Sequence, residues 1–495
     1  MKNTLSPNKI SWDIWLFSAL YVIAPSYCAI ELSSRLPLIT LSRALLVLLG
    51  VMLILRRGGG LLRDMGNLNL GLSVEPCLRR GLIMFFVLLT VCHVVLFPSN
   101  ASGALKAIFV LLMEGYALVW LLTQVLDTRE KIEASLKILV VASGITALIV
   151  MVGCAFSFHP FHILNLVRRE MPMTFEYRLG LVRAEAGFGH PCYYGAFCAI
   201  IAPVNMYFIE HSRKKWKRKL FAVCLALNMT GVVLSNARGS FLTVGFVVLV
   251  AVIRSFLHKE FGKFLRTYIP VGLMAIIFLV IVSALSSVGL AFLLGFIKSI
   301  LSIVFPDISM NIALDPAVTE SIAETVAVTE SIAETVVAET IGSSAAETVA
   351  SADVVGYGLN ENGLSSRLIQ FSGIEWTLTQ KPLFGFGHNA HVAGLISYEF
   401  VENVWLTTLS FDVGIVAIIG QYGLVGLLGY LALFGSALKE SLSKTCFRDP
   451  LMRYLSFALV TYLVHLLTIA SLEKLLWVLI AMIVCLSNVL RRQSL

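Results

Sequence analysis

The strongest constraint on this chain is a recurrence of apolar runs about 18–22 residues long. At 1.5 Å per residue, a helix of that length crosses about 30 Å of hydrocarbon. Twelve spans are expected, at roughly 14–32, 38–55, 81–97, 104–126, 136–157, 190–209, 219–235, 239–257, 268–288, 412–437, 454–471 and 475–490. The fold class that follows is all-α, a polytopic integral membrane protein. Only 14% of the residues are charged, against about 25% in a typical soluble domain, which excludes an ordinary soluble enzyme. The first apolar run has no Ala-x-Ala cleavage site before or after it and reads as a retained span.

Basic residues set the expected orientation. With the N-terminus inside, the inner loops and tails collect 26 of the 38 Lys and Arg, including RKKWKRK at 213–219 and the C-terminal RRQSL. Both termini are then cytoplasmic. The net charge of +8 is what this asymmetry requires, so it does not point to nucleic acid. Nine cysteines are scattered, mostly within spans and without a Cys-x-x-Cys pair, so neither a disulfide framework nor a zinc site is indicated.

Three divisions follow. Residues 1–288 carry the first nine helices and a small outer loop at about 158–190. Residues 289–411 form a large extracytoplasmic loop that opens on an apolar helix at 290–305, continuing the ninth span along the interface. Residues 412–495 carry the last three helices. Within the large loop, AVTESIAETV occurs twice in tandem at 317–336, with looser echoes to 350. Residues 299–366 hold ten acids and no Lys, Arg or His. A solvated, repeat-expanded insertion is the plain reading of such a composition, and a cation- or partner-binding surface is the alternative.

Outward arginines break the charge rule. Arg168, Arg169, Arg178 and Arg183 lie in the first outer loop, Arg238 at the turn between spans seven and eight, and Arg367 at the start of a polar stretch running from 363 to 406. Guanidinium stays protonated and grips phosphate through a planar fork, so an anionic ligand at the outer leaflet accounts for the cluster. Snorkelling to lipid headgroups is the alternative. Arg238 also precedes Gly239 and Ser240 at an expected helix N-terminus, a favourable place for an anion.

His190, His388 and His391 stand beside glycines at outer positions, with Lys381 nearby in sequence. A His pair three apart is half a metal site, but no Cys/His cluster or Asp-x-Asp pair completes it, so no metal is expected. Glu185, Glu375, Glu399 and Glu402 are candidate general bases. Inside the spans, Lys106 and Glu114 fall on one helical face, and His465 lies mid-span. Such residues mark ion paths in transporters, but they are sparse here.

Four segments taken in order, RAEAGFGHPCYYGAF (183–197), VLSNARGSFLTVG (233–245), SRLIQFSGIEWTLTQKPLFGFGHN (366–389) and VENVWL with QYGLVGLLGYL (401–431), resemble the O-antigen polymerase and O-antigen ligase superfamily. The resemblance covers about 183–431. It implies a metal-independent, inverting glycosyltransferase of the bacterial inner membrane, without a cofactor. The site would face the periplasm or outer side and act on an undecaprenyl-diphosphate-linked glycan, with a chain-length regulator as a possible partner. Arg183, Arg238 and Arg367 would then hold the diphosphate, with Glu402 or His388 as catalytic groups. Arg178, Lys381, His391, Asn403 and Trp405 would bind substrate. The family's Ser-Arg-Gly is here Asn236-Ala237-Arg238-Gly239. Glu402-Asn403 replaces the His-Asn of ligases, which favours polymerisation of repeat units into surface polysaccharide over ligation to lipid A core or protein. A transporter or flippase is the reading from a different class.

Overall fold

The computed structural model describes residues 12–25, 27–30, 38–57, 76–95, 101–166, 177–286, 288–289, 291–304, 370–387, 395–401, 404–407, 413–468 and 473–494. Each of the twelve expected spans overlaps a helix, but the first, expected at 14–32, is helical only over Trp12–Ile23 and is followed by a strand at Ala29–Ile30. The helices are α1 (Trp12–Ile23), α2 (Leu41–Arg57), α3 (Pro76–Val95), α4 (Ala101–Val125), α5 (Arg129–Ala155), α6 (Pro191–His211), α7 (Lys215–Ser235), α8 (Arg238–Leu257) and α9 (Phe261–Leu285). After α10 (Ala291–Val304) and α11 (Ser372–Gln380) come α12 (Gly414–Ser441), the single turn α13 (Lys444–Phe447), α14 (Pro450–Leu466) and α15 (Glu473–Ser494). Among the described residues, nine helices are long and apolar enough to cross a membrane; α1, α2 and α14 are shorter. The chain is therefore a polytopic α-helical membrane protein.

Among the described residues, three two-stranded hairpins interrupt the helical pattern: β1 (Ala29–Ile30) with β2 (Ile39–Thr40), β3 (Tyr177–Arg178) with β4 (Leu181–Val182), and β5 (Ser397–Val401) with β6 (Val404–Thr407). Such short alternations leave little trace in an apolar sequence. Within the expected 290–305 stretch, residues 291–304 form a helix, α10, but it does not simply prolong α9. The chain turns first, through Ser286 and a positive-φ Gly289.

Helix α6 is central: 94% of its apolar window is buried, against 22% for α9, which lies at the periphery. Polar pairs bind the end of the bundle that carries the basic α6–α7 turn. Arg491 grips Glu440 with both prongs, Nε to Oε1 at 2.9 Å and a terminal nitrogen to Oε2 at 2.8 Å. Arg129 at the start of α5 pairs with Asp449, which caps α14 by accepting from the Met452 amide at 3.1 Å.

One helix is broken on purpose. At Gly423 the α12 backbone leaves the helical region (φ 61°, ψ −158°), and residues 382–387 fill the break. The Leu424 and Val425 amides donate to the Pro382 and Leu383 carbonyls, at 2.9 and 3.0 Å. In return, the Phe386 and Gly387 amides donate to the Gly420 and Gln421 carbonyls, both at 2.9 Å. The four groups that α12 loses from its own ladder are thus all paired, as a broken membrane helix requires. The segments PLFGFG and QYGLVG, far apart in sequence, meet at this exchange.

Candidate functional site

At the end of the bundle opposite the RKKWKRK turn, the last turns of α5 and α7 meet the first turns of α6 and α8. The final carbonyls of a helix have no partner within it. Here the extended segment after β4 supplies one: the Ala184 amide donates to the Leu234 carbonyl at 3.0 Å, and Arg183 Nε donates to the Ser235 carbonyl at 3.0 Å. Asn236 then adopts the left-handed conformation (φ 46°, ψ 38°) that ends α7, which asparagine tolerates better than most residues. Two residues later Arg238 opens α8.

The first turn of α6 closes on this corner. A Cβ on Gly195 would stand 2.4 Å from Ser235 Oγ and 2.6 Å from Ser240 Oγ, so only glycine lets the helices approach this closely. His190 caps α6 by accepting from the Cys192 amide through Nδ1 at 3.2 Å. Cys192 Sγ in turn lies 3.7 Å from a terminal nitrogen of Arg183.

Two of the expected arginines therefore share one corner. Arg183 is partly committed to a backbone carbonyl. Arg238 is half-buried, and its Nε is buried with no hydrogen-bond partner among the described residues. A half-buried guanidinium with an unfilled donor, at the positive end of a helix, is suited to hold an anion.

The remaining expected residues fall differently. The Arg178 backbone pairs with Leu181 in the β3–β4 hairpin, and the Trp405 backbone pairs with Glu399 in β5–β6. Lys381 follows α11, with its ammonium 5.3 Å over the Phe386 ring, a contact inside the α11–α12 unit. Arg367, His388, His391, Glu402 and Asn403 lie outside the described residues, as do the acidic repeats.

Glu114 finds a partner that sequence spacing did not suggest. Its Oε1 accepts from Arg43 Nε at 2.7 Å. Residues Leu111–Ala117 form a π-helical segment, which offsets the register that placed Lys106 and Glu114 on one face. Lys474 lies close by, donating to Ser42 Oγ at 2.7 Å and to the Ala24 carbonyl at 3.3 Å.

Sequence reasoning also passed over His159 and His162, which the 3₁₀ turn Pro160–Leu164 stacks face to face, with ring centroids 4.5 Å apart. His162 Nε2 lies 2.5 Å from Glu185 Oε1, and His159 Nδ1 lies 3.9 Å from the same oxygen. Burial, then the neighbouring His162, hold His159 near pKa 4, well below an ordinary imidazole. The signal in sequence is HPFH at 159–162, just after the fifth expected span, with His162 23 residues from Glu185.

An apolar cavity of about 290 Å³ is lined by Met206, Met229, Val247, Ala251, Phe264 and Tyr268 among others. It lies towards the basic end of α6 and has no part in the arginine corner.

Fold and corner together define a polytopic membrane protein with an arginine-bearing pole. No protein-family model matches the sequence, and no curated protein matches it.

Proposed function

We propose that this protein is a membrane glycosyltransferase that polymerises undecaprenyl-diphosphate-linked oligosaccharide units into surface polysaccharide, with Arg183 and Arg238 on the diphosphate. The observation that carries the reading is the unfilled, buried Nε of Arg238 at the first turn of α8, on the corner that Arg183 also occupies. On the expected topology of twelve spans with both termini inside, that corner faces the outer side, and the distribution of Lys and Arg supports this orientation. In the reaction, an acceptor hydroxyl attacks the anomeric carbon of the lipid-linked chain. A new C–O bond forms, the bond from that carbon to the diphosphate oxygen breaks, and undecaprenyl diphosphate leaves. The hydroxyl proton passes to a general base, assigned to Glu402 by the resemblance. The guanidiniums stabilise charge gathering on the leaving diphosphate.

The glycan ladder in cells lacking the gene tests this reading. Single repeat units attached to their final acceptor are the expected result. Long lipid-diphosphate-linked chains would instead identify a ligase, and an unchanged ladder would leave a transporter.

A further inference from the structure

Beside the arginine corner stands a second constellation. His159 and His162 belong to one 3₁₀ turn, in which residues three apart lie directly over one another. The turn is fixed by the His162 amide donating to the His159 carbonyl at 3.1 Å and by Pro160 at its first position. Both imidazoles face one carboxylate oxygen, Oε1 of Glu185, and the three donor atoms lie within 4.8 Å of one another. All three side chains are mostly shielded, between 8% and 18% exposed. A hydrogen bond to Oε1 uses one imidazole; a bound cation uses both.

We propose that His159 Nδ1, His162 Nε2 and Glu185 Oε1 bind one divalent transition-metal ion, zinc in the first instance. Two imidazoles and one carboxylate are a recurrent zinc donor set, with metal–donor bonds of about 2.0–2.2 Å. Tetrahedral coordination at that length sets neighbouring donors about 3.3 Å apart. The two donor separations to Oε1, 2.5 and 3.9 Å, bracket this value, and the two imidazole nitrogens lie within 4.8 Å of each other, so modest side-chain rotations seat the ion. Three protein donors leave a fourth position for water or a ligand.

The surroundings hold the donors in place. Tyr27 packs edge-on against His162, with centroids 5.8 Å apart, and donates its hydroxyl to the Ala186 carbonyl at 3.2 Å, next to Glu185. A Cβ at Gly187 would stand 2.9 Å from the Ile23 carbonyl, so the end of α1 backs the Glu185 segment closely. Aromatic and backbone contacts of this kind orient metal ligands. The ion would tie the turn after α5 to the segment that carries Arg183, a positioning role that takes no step in glycosyl transfer and stands independently of that reading.

The test uses the full chain, purified in detergent and stripped with chelator. Titration with Co²⁺ is expected to give visible d–d bands that saturate at about one ion per chain and disappear when Zn²⁺ is added. His159→Ala, His162→Ala and Glu185→Gln should each weaken binding by about tenfold or more, while His258→Ala, at the opposite end of the bundle, should leave it unchanged. X-ray absorption at the zinc edge of the wild type provides a reading that needs no variant to fold. Nitrogen and oxygen neighbours at about 2.0–2.1 Å, with imidazole scattering, are expected. No saturable ion, a sulfur shell at about 2.3 Å, or binding untouched by the three substitutions would overturn the proposal.

Discussion

Gly385 and Gly423 meet backbone to backbone: a Cβ on Gly385 would lie 2.7 Å from the Gly423 nitrogen, and both residues have positive φ, 64° and 61°. Neither position can take a side chain without parting the two strands of the exchange. At Gly423, φ 61° with ψ −158° is a region essentially reserved for glycine.

Gly385→Ala and Gly423→Ala should therefore each destabilise the protein by about 3 kcal/mol or more, from steric overlap added to backbone strain. A thermal-unfolding series in detergent would register this as a fall of several degrees. Gly435→Ala, in the same helix but with open space around its Cα, is the matched control and should change little.

At the other pole of function, Arg238→Ala should reduce glycan polymerisation about 10²–10³-fold, the usual cost of removing one charge-stabilising donor. The amount of membrane-inserted protein should stay the same. Arg238→Lys should recover little, because a point charge does not replace a planar fork. Arg183→Ala should lower both activity and stability, since its Nε also caps the α7 terminus through Ser235. Full activity in Arg238→Ala membranes would remove the diphosphate assignment.

Arg491 illustrates a purely structural charge. Glu440 is 2% exposed at its side chain and depends on Arg491 for two of its hydrogen bonds. Arg491→Ala leaves that carboxylate buried without its counter-ion, at a cost of about 3–5 kcal/mol. Replacing both residues with apolar ones of similar size should restore most of the loss. Equal melting temperatures for wild type and Arg491→Ala would count against the pair as a stabilising element.

Shortening the acidic tandem at 317–336 should leave polymerisation nearly unchanged, since its composition offers no core to bury. Glycan ladders from cells carrying the deletion would show this. A collapsed ladder would assign the repeat a working role.

The membrane character and the helix positions were legible in the sequence because burial in lipid imposes one signal, a long apolar run, on every span. The Arg183 and Arg238 corner was legible in part. Arginines on the expected outer side stand out against the charge rule, but nothing in sequence could show that Arg183 caps the helix preceding Arg238. The Arg43–Glu114 pair was hidden for a clearer reason: a π segment shifts the helical register, and Arg43 lies 71 residues away. His159 and His162 were passed over because their partner, Glu185, becomes a neighbour only once α5 and α6 stand side by side.

The four-bond exchange between residues 382–387 and α12 has a consequence for how the chain can be divided. Both of its halves lie on the C-terminal side of the acidic tandem. A chain nicked or synthesised as two polypeptides at that tandem would keep every one of those bonds inside the second piece. What the two pieces would have to recover is side-by-side helix packing, chiefly α3 against α12 and α6 against α14. Among the described residues, reassembly of a split protein would then be a matter of docking finished helices, with no backbone ladder left to re-knit.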